Sequence, residues 1–539
     1  MIEVNAYKGA KSLLRIMNLR VALGNETPLE ILAAKKLTIP PQAVLEVVLV
    51  RRALDARKKH NISFVYTLDV KVSLPEGQVL ARLKGDKDVA VARKEVPEAI
   101  VPVRNSLEHP PVVVGFGPAG MLAALTLARY GYKPLILERG RTIEQRTRDV
   151  SRFWQTGHFD VISNVQFGEG GAGTFSDGKL TTRVNDPLMR EVLAILVKAG
   201  APEEILYLHK PHIGTDKLRE VVKKIRQEII SLGGQVYFET KVTDLDIKEG
   251  RLKGLWIDDG RYIPCCTALF AIGHSARDTY EMLYRRGIAM EAKAFSLGVR
   301  IEHPQEMIDR SQYGIAAGHP QLKAADYALV YHAKETGRTA YSFCMCPGGL
   351  VVAAASEAGG VVTNGMSMYD RASGVANSAL VVNVTPNDFG GGVLGGIAFQ
   401  RKYEQLAFAC GGQDYRAPVQ TVGDFLAGTV GSTPFGTKPT YRPGVVVADL
   451  RQCLPDFVTD TLKRALPEFE RKIKGFAAPE SIMTGVETRT SAPLRIMRDS
   501  AYQSLSVKGL YPVGEGAGYA GGIMSAALDG LNSVISIIK

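Results

Sequence analysis

The chain is poor in the residues that staple small folds and ligate metals, with six cysteines, nine histidines and two tryptophans among 539 residues. The cysteines, at 265, 266, 344, 346, 410 and 453, have neither zinc-ligand spacing nor the density of a disulfide scaffold, so no metal site is expected. A reducing, cytoplasmic setting fits them best. Charge is also sparse: 22% of residues are charged and 45% are hydrophobic, which excludes a disordered chain and allows two or three domains with sizeable cores. No uninterrupted apolar run is long enough for a membrane helix. The stretch 111–128 comes nearest but is broken by glycines and Pro118, and the N-terminus lacks the apolar core and cleavage site of a signal peptide.

What the chain does have is glycine, 55 in all, placed where backbone must approach a ligand. The run PPVVVGFGPAGMLAALTLARYGYKPLILERG, 111–140, describes a strand, tight turn, helix and second strand ending in an acid. Val112, Val113 and Val114 suit a strand buried on both faces. Gly115 permits the turn, Gly117 lets the backbone approach a pyrophosphate, and Gly120 lets the helix opened by Pro118 and Ala119 pack on the strand. Amides at that helix start favour an anion. Glu138 stands where an acid holds an adenosine ribose, and Arg139 follows it. The sequence GGGVLG at 390–395 fits the same pattern but follows an interrupted strand, and it reads as a loop.

Three further segments select a flavin over a nicotinamide nucleotide. In NVQFGEGGAGTFSDGKL, 164–180, the small residues Gly170, Gly171, Ala172, Gly173, Thr174, Asp177, Gly178 and Lys179 suit the lining of a flat, phosphate-bearing ligand. The C-terminal GLYPVGEGAGYAGGIMSAALDGLNSVISII contains Gly514 and Glu515, placed to bond a ribityl chain. Gly521, Gly522 and Ile523 there open a helix aimed at the pyrimidine end of the ring. Gly273 ends a buried strand, and Val242 is an adenine contact in expectation. Together these residues predict bound FAD.

At these positions the chain resembles the FAD-dependent oxidoreductases of the glutathione-reductase superfamily. More narrowly, it resembles a bacterial family of uncharacterised FAD-dependent, or NAD(FAD)-utilising, dehydrogenases. The narrower likeness rests on GGAGTFSDGKL, SFCMCPGGLVV, NGMSMYDRASGVANSALVVNV, GVETRTSAPLRI and GEGAGYAGGI. The resemblance implies FAD at Gly115, Gly117, Gly120, Glu138, Arg139, Gly171, Gly273 and Glu515, and it implies no substrate. Glu515 stands where many members of the superfamily carry Asp.

The expected fold is α/β: a discontinuous Rossmann-type FAD-binding domain at 106–284 and 484–539, an α+β substrate or cap domain at 285–483, and a small basic α+β domain at 1–105. Residues 95–111 read as the linker. Of the net charge of +11, most lies in 1–105, where 18 Lys and Arg face 11 Asp and Glu. A hairpin there carries Arg51, Arg52, Arg57, Lys58 and Lys59, a cluster suited to RNA, an acidic partner or an anionic substrate, or to plain solvation.

Catalytic candidates are fewer. Lys179 suits the ring or, equally, pairing with a phosphate or carboxylate; Cys344 and Cys346, one residue apart, suit either a redox dithiol or packing; Arg489 and Arg495 suit an acidic substrate, the cofactor or a salt bridge. Cys265 and Cys266 read as core of a buried strand, and His274 as a structural histidine. The function these residues favour is an FAD-dependent dehydrogenase passing a hydride or electrons between a small-molecule donor and an acceptor, with NAD(P)H as a transient donor. The alternatives are an RNA-binding or RNA-modifying flavoprotein and a non-catalytic FAD-binding scaffold.

Overall fold

A computed structural model describes residues 13–92 and 107–539. The linker expected at 95–111 lies outside the described residues as far as residue 106.

The architecture is mixed α/β. Its central sheet is built from five strands of only three residues each, in the order Leu510–Pro512, Ala268–Phe270, Val112–Val114, Leu135–Leu137, Gln235–Tyr237, every pairing parallel. Val112, Val113 and Val114 are buried, as a strand covered on both faces requires. Helices Pro118–Arg129, Thr215–Ser231 and Ile523–Ile538 share one apolar cluster with this sheet. On the other face, Leu245 and Leu255 of an antiparallel sheet (Val242–Lys248, Arg251–Ile257, Tyr262–Pro264) pack with Val114 and Phe270. The C-terminal strand therefore completes a sheet begun nearly four hundred residues earlier. The first and last helices touch backbone to backbone: a Cβ on Gly530 would collide with the Ala119 carbonyl.

A second sheet of seven strands runs in the order Val330–Ala333, Arg338–Cys346, Val375–Val384, Phe295–Pro304, Ile482–Glu487, Ala417–Thr421, Val445–Val447. The boundary expected at 484 falls inside one of these strands. Ile482–Glu487 is buried throughout and pairs with Phe295–Pro304 and Ala417–Thr421, so the chain leaves this sheet only after Glu487. Helix Asp456–Lys472 packs Val458, Leu462 and Leu466 into the same cluster as Leu380 and Val382. Cys265 and Cys266 lie between strands rather than within one.

The N-terminal unit is a four-stranded antiparallel sheet, Val44–Asp55, Ser63–Val72, Leu13–Ala22, Val89–Val91, with Ala33, Ala34 and Leu37 of helix Leu29–Leu37 on one face. Much of its basic cluster is engaged within the chain. Arg52 stacks over Phe64, and its backbone bonds Tyr207 and His209; Arg51 bonds His209 Nδ1; Arg57 pairs with Asp55. Lys58 and Lys59 are exposed, as are Arg51 and Arg57 despite their partners. Among the described residues no helix is long and apolar enough to cross a membrane.

Candidate functional site

A cleft of about 410 Å³ starts at the glycine turn after Val112–Val114 and ends against the seven-stranded sheet. Its floor depends on glycine. Gly115 has φ +96°, and any side chain there would meet the Ala271 carbonyl; a Cβ on Gly120 would strike the Gly115 carbonyl, which is why the helix can sit so close to the strand. Gly171, at φ +62°, faces Gly117, and its Cβ would lie 3.0 Å from Gly117 Cα. Neither Gly117, which caps helix Pro118–Arg129, nor Gly522, which caps Ile523–Ile538, supplies a capping side chain. Two helix starts with uncapped first-turn amides thus border one cleft, a pair of dipole ends suited to negative charge.

At the glycine-turn end lies Glu138, 5% exposed. One carboxylate oxygen accepts from the Phe116 N–H at 2.8 Å, and the other accepts from Gly140 at 2.8 Å and Gly168 at 3.0 Å. A carboxylate offers about four acceptor positions, so one is left for a ligand hydroxyl. Beside it Arg139 lies over the Phe167 ring and forms a two-pronged pair with Asp278, which also takes Lys241; these cations hold the Asp278 carboxyl below its usual range despite its burial. Val242 and Thr240 close this end.

The opposite end joins the two sheets. Lys179 reaches from the glycine-rich loop to the Met345 carbonyl on strand Arg338–Cys346. Asp177 lines the cleft but spends its carboxylate on Arg371, in bonds of 3.0 and 2.6 Å. Glu515 has no hydrogen-bond partner for its carboxyl among the described residues. It is half-buried in the cleft wall, and desolvation pushes the carboxyl up to about 7, with Lys293 opposing the shift and Cys344 adding to it. Gly273, Gly521 and Gly522 have open space where a Cβ would stand, and Ala172, Gly173, Gly178 and Ile523 complete the wall. From the second sheet come Phe343, Cys344, Asn364 and Glu487.

Arg489 enters the cleft rim with every side-chain nitrogen assigned. Its Nε and one terminal nitrogen bond the two oxygens of Glu404 at 2.7 and 2.9 Å, and the other terminal nitrogen bonds Ser275 Oγ at 2.7 Å. Glu404 also holds Arg277, and these two arginines keep its buried carboxyl far below the usual range. His274, bonded to the same Ser275 hydroxyl at 2.9 Å, is driven down to about 3 by burial first and then by Arg489 and Arg277. It is a neutral imidazole at pH 7.

Several expected site residues stand behind the cleft instead of on it. Gly120 and Gly514 act in packing, the latter against Ala119; Gly170 and Thr174 lie beneath the loop near Val222, and the Thr174 carbonyl accepts from Thr215. Cys346 is buried behind Cys344. Arg495 lies outside: it pairs with Glu291 at 2.8 Å on a partly exposed strand, so it is not placed to hold a ligand in this cleft. Conversely, Gln166, Ser275, Asn364 and Glu487 line the cleft without having been singled out. Asn364 opens NGMSMYDRASGVANSALVVNV and Glu487 lies in GVETRTSAPLRI, but nothing local in the sequence marks them as cleft residues.

The cleft fits FAD on its own geometry: an anion cradle at two helix starts, a spare acceptor on Glu138, and an unpartnered, half-buried carboxyl at Glu515. The fold and cleft define a dinucleotide-binding α/β protein. Residues 294–490 match the family model described as FAD-dependent protein, C-terminal domain-like, and residues 13–71 match a domain of unknown function. An uncharacterized protein of Clostridium beijerinckii is 50% identical over 528 residues, covering 98% of each chain. The chain belongs to this family of FAD-dependent proteins. Among solved structures, glycine oxidase from Bacillus cereus is similar at 12% identity over 79% of this chain and 94% of that one, with a TM-score of 0.33. Glycerol-3-phosphate dehydrogenase from Bacillus halodurans, complexed with FAD, is similar at 12% over 80% and 64%, also with a TM-score of 0.33. At these scores the likeness carries no weight for the site.

Proposed function

We propose that the protein is an FAD-dependent oxidoreductase whose small-molecule substrate meets the flavin where the cleft runs into the seven-stranded sheet. The observation that carries this reading is the continuity of one cleft from Glu138, past two uncapped helix starts, to Glu515, Cys344 and Asn364. FAD, when bound, supplies the hydride or electron chemistry. The chain's own residues do the holding. Glu138 receives a ribose hydroxyl, the first-turn amides of Pro118–Arg129 receive the pyrophosphate, and Glu515 receives a ribityl hydroxyl. The amides at the start of Ile523–Ile538 favour negative charge at the ring end. Lys179, by tying the glycine-rich loop to the second sheet, fixes the distance between the cofactor wall and the substrate wall. NAD(P)H as a donor would have to visit this shared cleft, because the described residues contain one parallel sheet with such a glycine turn.

The nucleic-acid alternative gains no support from the family matches, and Arg51, Arg52 and Arg57 each have a partner within the chain, although Arg51 and Arg57 stay exposed. The test is to purify the protein, identify its cofactor by absorbance and mass, and follow anaerobic bleaching with NADH and NADPH separately. Yellow protein that releases FAD and bleaches with a donor is the expected result. Colourless protein that takes up no added FAD overturns the proposal. Bound FAD with no turnover by any donor would favour a scaffold.

A further inference from the structure

Strand Arg338–Cys346 ends at the cleft in two thiols that the proposed function leaves unused. The strand breaks there: its register against Val375–Val384 shifts between Phe343 and Cys346, and Cys344 adopts φ +44°, a left-handed conformation that costs a non-glycine residue energy. In an unbroken strand, residues two apart lie about 6.6 Å apart, near the upper limit for a disulfide. The kink folds this segment back on itself, so that the Cys346 thiol reaches the Cys344 carbonyl at 3.3 Å. Cys344 faces the cleft, and Cys346 is buried directly behind it.

The surrounding charges are arranged around this turn. Arg300, fully buried, donates to the Cys344 carbonyl at 3.2 and 3.4 Å and lies 4.0 Å from Cys346 Sγ, while Lys179 holds the carbonyl of Met345 between the two thiols. Glu487 balances Arg300, and Asp177 balances Arg371 nearby. Cations held at such a turn favour the thiolate, which is the nucleophilic form of cysteine. In keeping with this, the Cys346 thiol, against burial and with help from Arg300 and Lys179, brings Cys344 down to about 6, while hydrogen bonding to Cys344 and then burial push the Cys346 thiol up.

We infer that Cys344 and Cys346 are a redox-active dithiol that stores a second electron pair beside the flavin. Resting on the flavin reading above, the step is balanced within the molecule. The two thiols lose two protons and two electrons as the S–S bond forms; both electrons and one proton pass to the oxidised flavin, and the other proton leaves to solvent. The reverse step reopens the bond. A ring closed across a single intervening residue is strained, and strained disulfides are the easily reduced kind.

The test is an anaerobic titration of FAD-loaded, air-oxidised protein with dithionite, read at the flavin absorbance, with parallel mass spectrometry of the tryptic peptide spanning residues 339–371, which contains no other cysteine. Expected are four electron equivalents per flavin for the native chain and two for Cys346→Ser, and a native oxidised peptide lighter than the reduced one by two hydrogens. Protein that binds FAD but takes up two equivalents, with both thiols alkylatable in the oxidised sample, overturns the dithiol and leaves the flavin reading standing. Protein that takes up no FAD overturns both. The native measurements decide the matter even if the serine variant fails to fold.

Discussion

Replacing Glu138 by glutamine changes one oxygen to an NH₂ group and almost nothing else in volume, so its consequences can be worked out bond by bond. The native carboxylate accepts from three backbone amides, Phe116, Gly140 and Gly168. The amide oxygen of glutamine can replace the oxygen that serves Gly140 and Gly168, but its NH₂ then points at the Phe116 N–H, donor against donor. One buried donor left without an acceptor costs about 1–3 kcal/mol. The flavin-free variant should therefore unfold at lower urea than the native protein, by that amount. FAD binding should weaken further, because the charged acceptor for the ribose is gone; a charge-assisted hydrogen bond of about 1.5–3 kcal/mol corresponds to a tenfold to hundredfold rise in Kd. Urea unfolding of apoprotein and fluorescence titration with FAD separate the two effects. Native-like values in both assays would refute the placement of Glu138 as a bonded acid at the nucleotide. A stability loss without an affinity loss would remove its role toward the ribose while leaving its structural role.

Glu404→Gln strips the charge that two buried arginines share. Breaking such a group costs about 3–5 kcal/mol, so the variant should lose most of its resistance to urea, whereas a loss under 1 kcal/mol would show that Arg277 and Arg489 find other partners. Glu515 carries a pH signature. Its carboxyl titrates higher folded, near 7, than unfolded, so the native chain gains from its protonation at low pH and loses that gain as pH rises from about 4.5 through 7. Flavin-free Glu515→Gln should thus gain stability over the native protein between pH 5 and pH 8 by about 1–2 kcal/mol, discounted because the cleft admits solvent, and a flat difference would contradict the burial of that acid. Arg495→Ala removes only a partly exposed pair with Glu291, so FAD affinity should be unchanged and stability should fall by no more than about 1 kcal/mol. A large loss of FAD binding would place Arg495 at the site after all. Gly171→Ala, forced into a positive φ and pressed toward Gly117, should weaken FAD binding at least tenfold by titration, and native affinity would mean the loop does not line the cofactor.

The short-range grammar of the chain determined the nucleotide half of this molecule. Valines flanked by glycines at 115, 117 and 120 leave few conformations open, and an acid at the end of the next strand falls by geometry beside the turn. These are steric and periodic facts that act over a few residues, so they can be read without knowing the fold. The basic hairpin shows where that grammar stops: Arg51 and Arg52 look like part of a free cationic tip until Tyr207 and His209, more than 150 residues on, are brought to them. Cys344 became a cleft residue only because Arg338–Cys346 pairs with Val375–Val384, which in turn pairs with Phe295–Pro304. That last strand brings in Ile482–Glu487 from nearly two hundred residues away, and with it Glu487. Tertiary structure likewise turned Arg489 and Glu404 from ordinary surface-type residues into a buried ion pair, since the worth of a charge depends on what surrounds it. Local sterics are written in neighbouring residues, whereas desolvation and charge pairing are fixed by segments that meet only once the chain has folded.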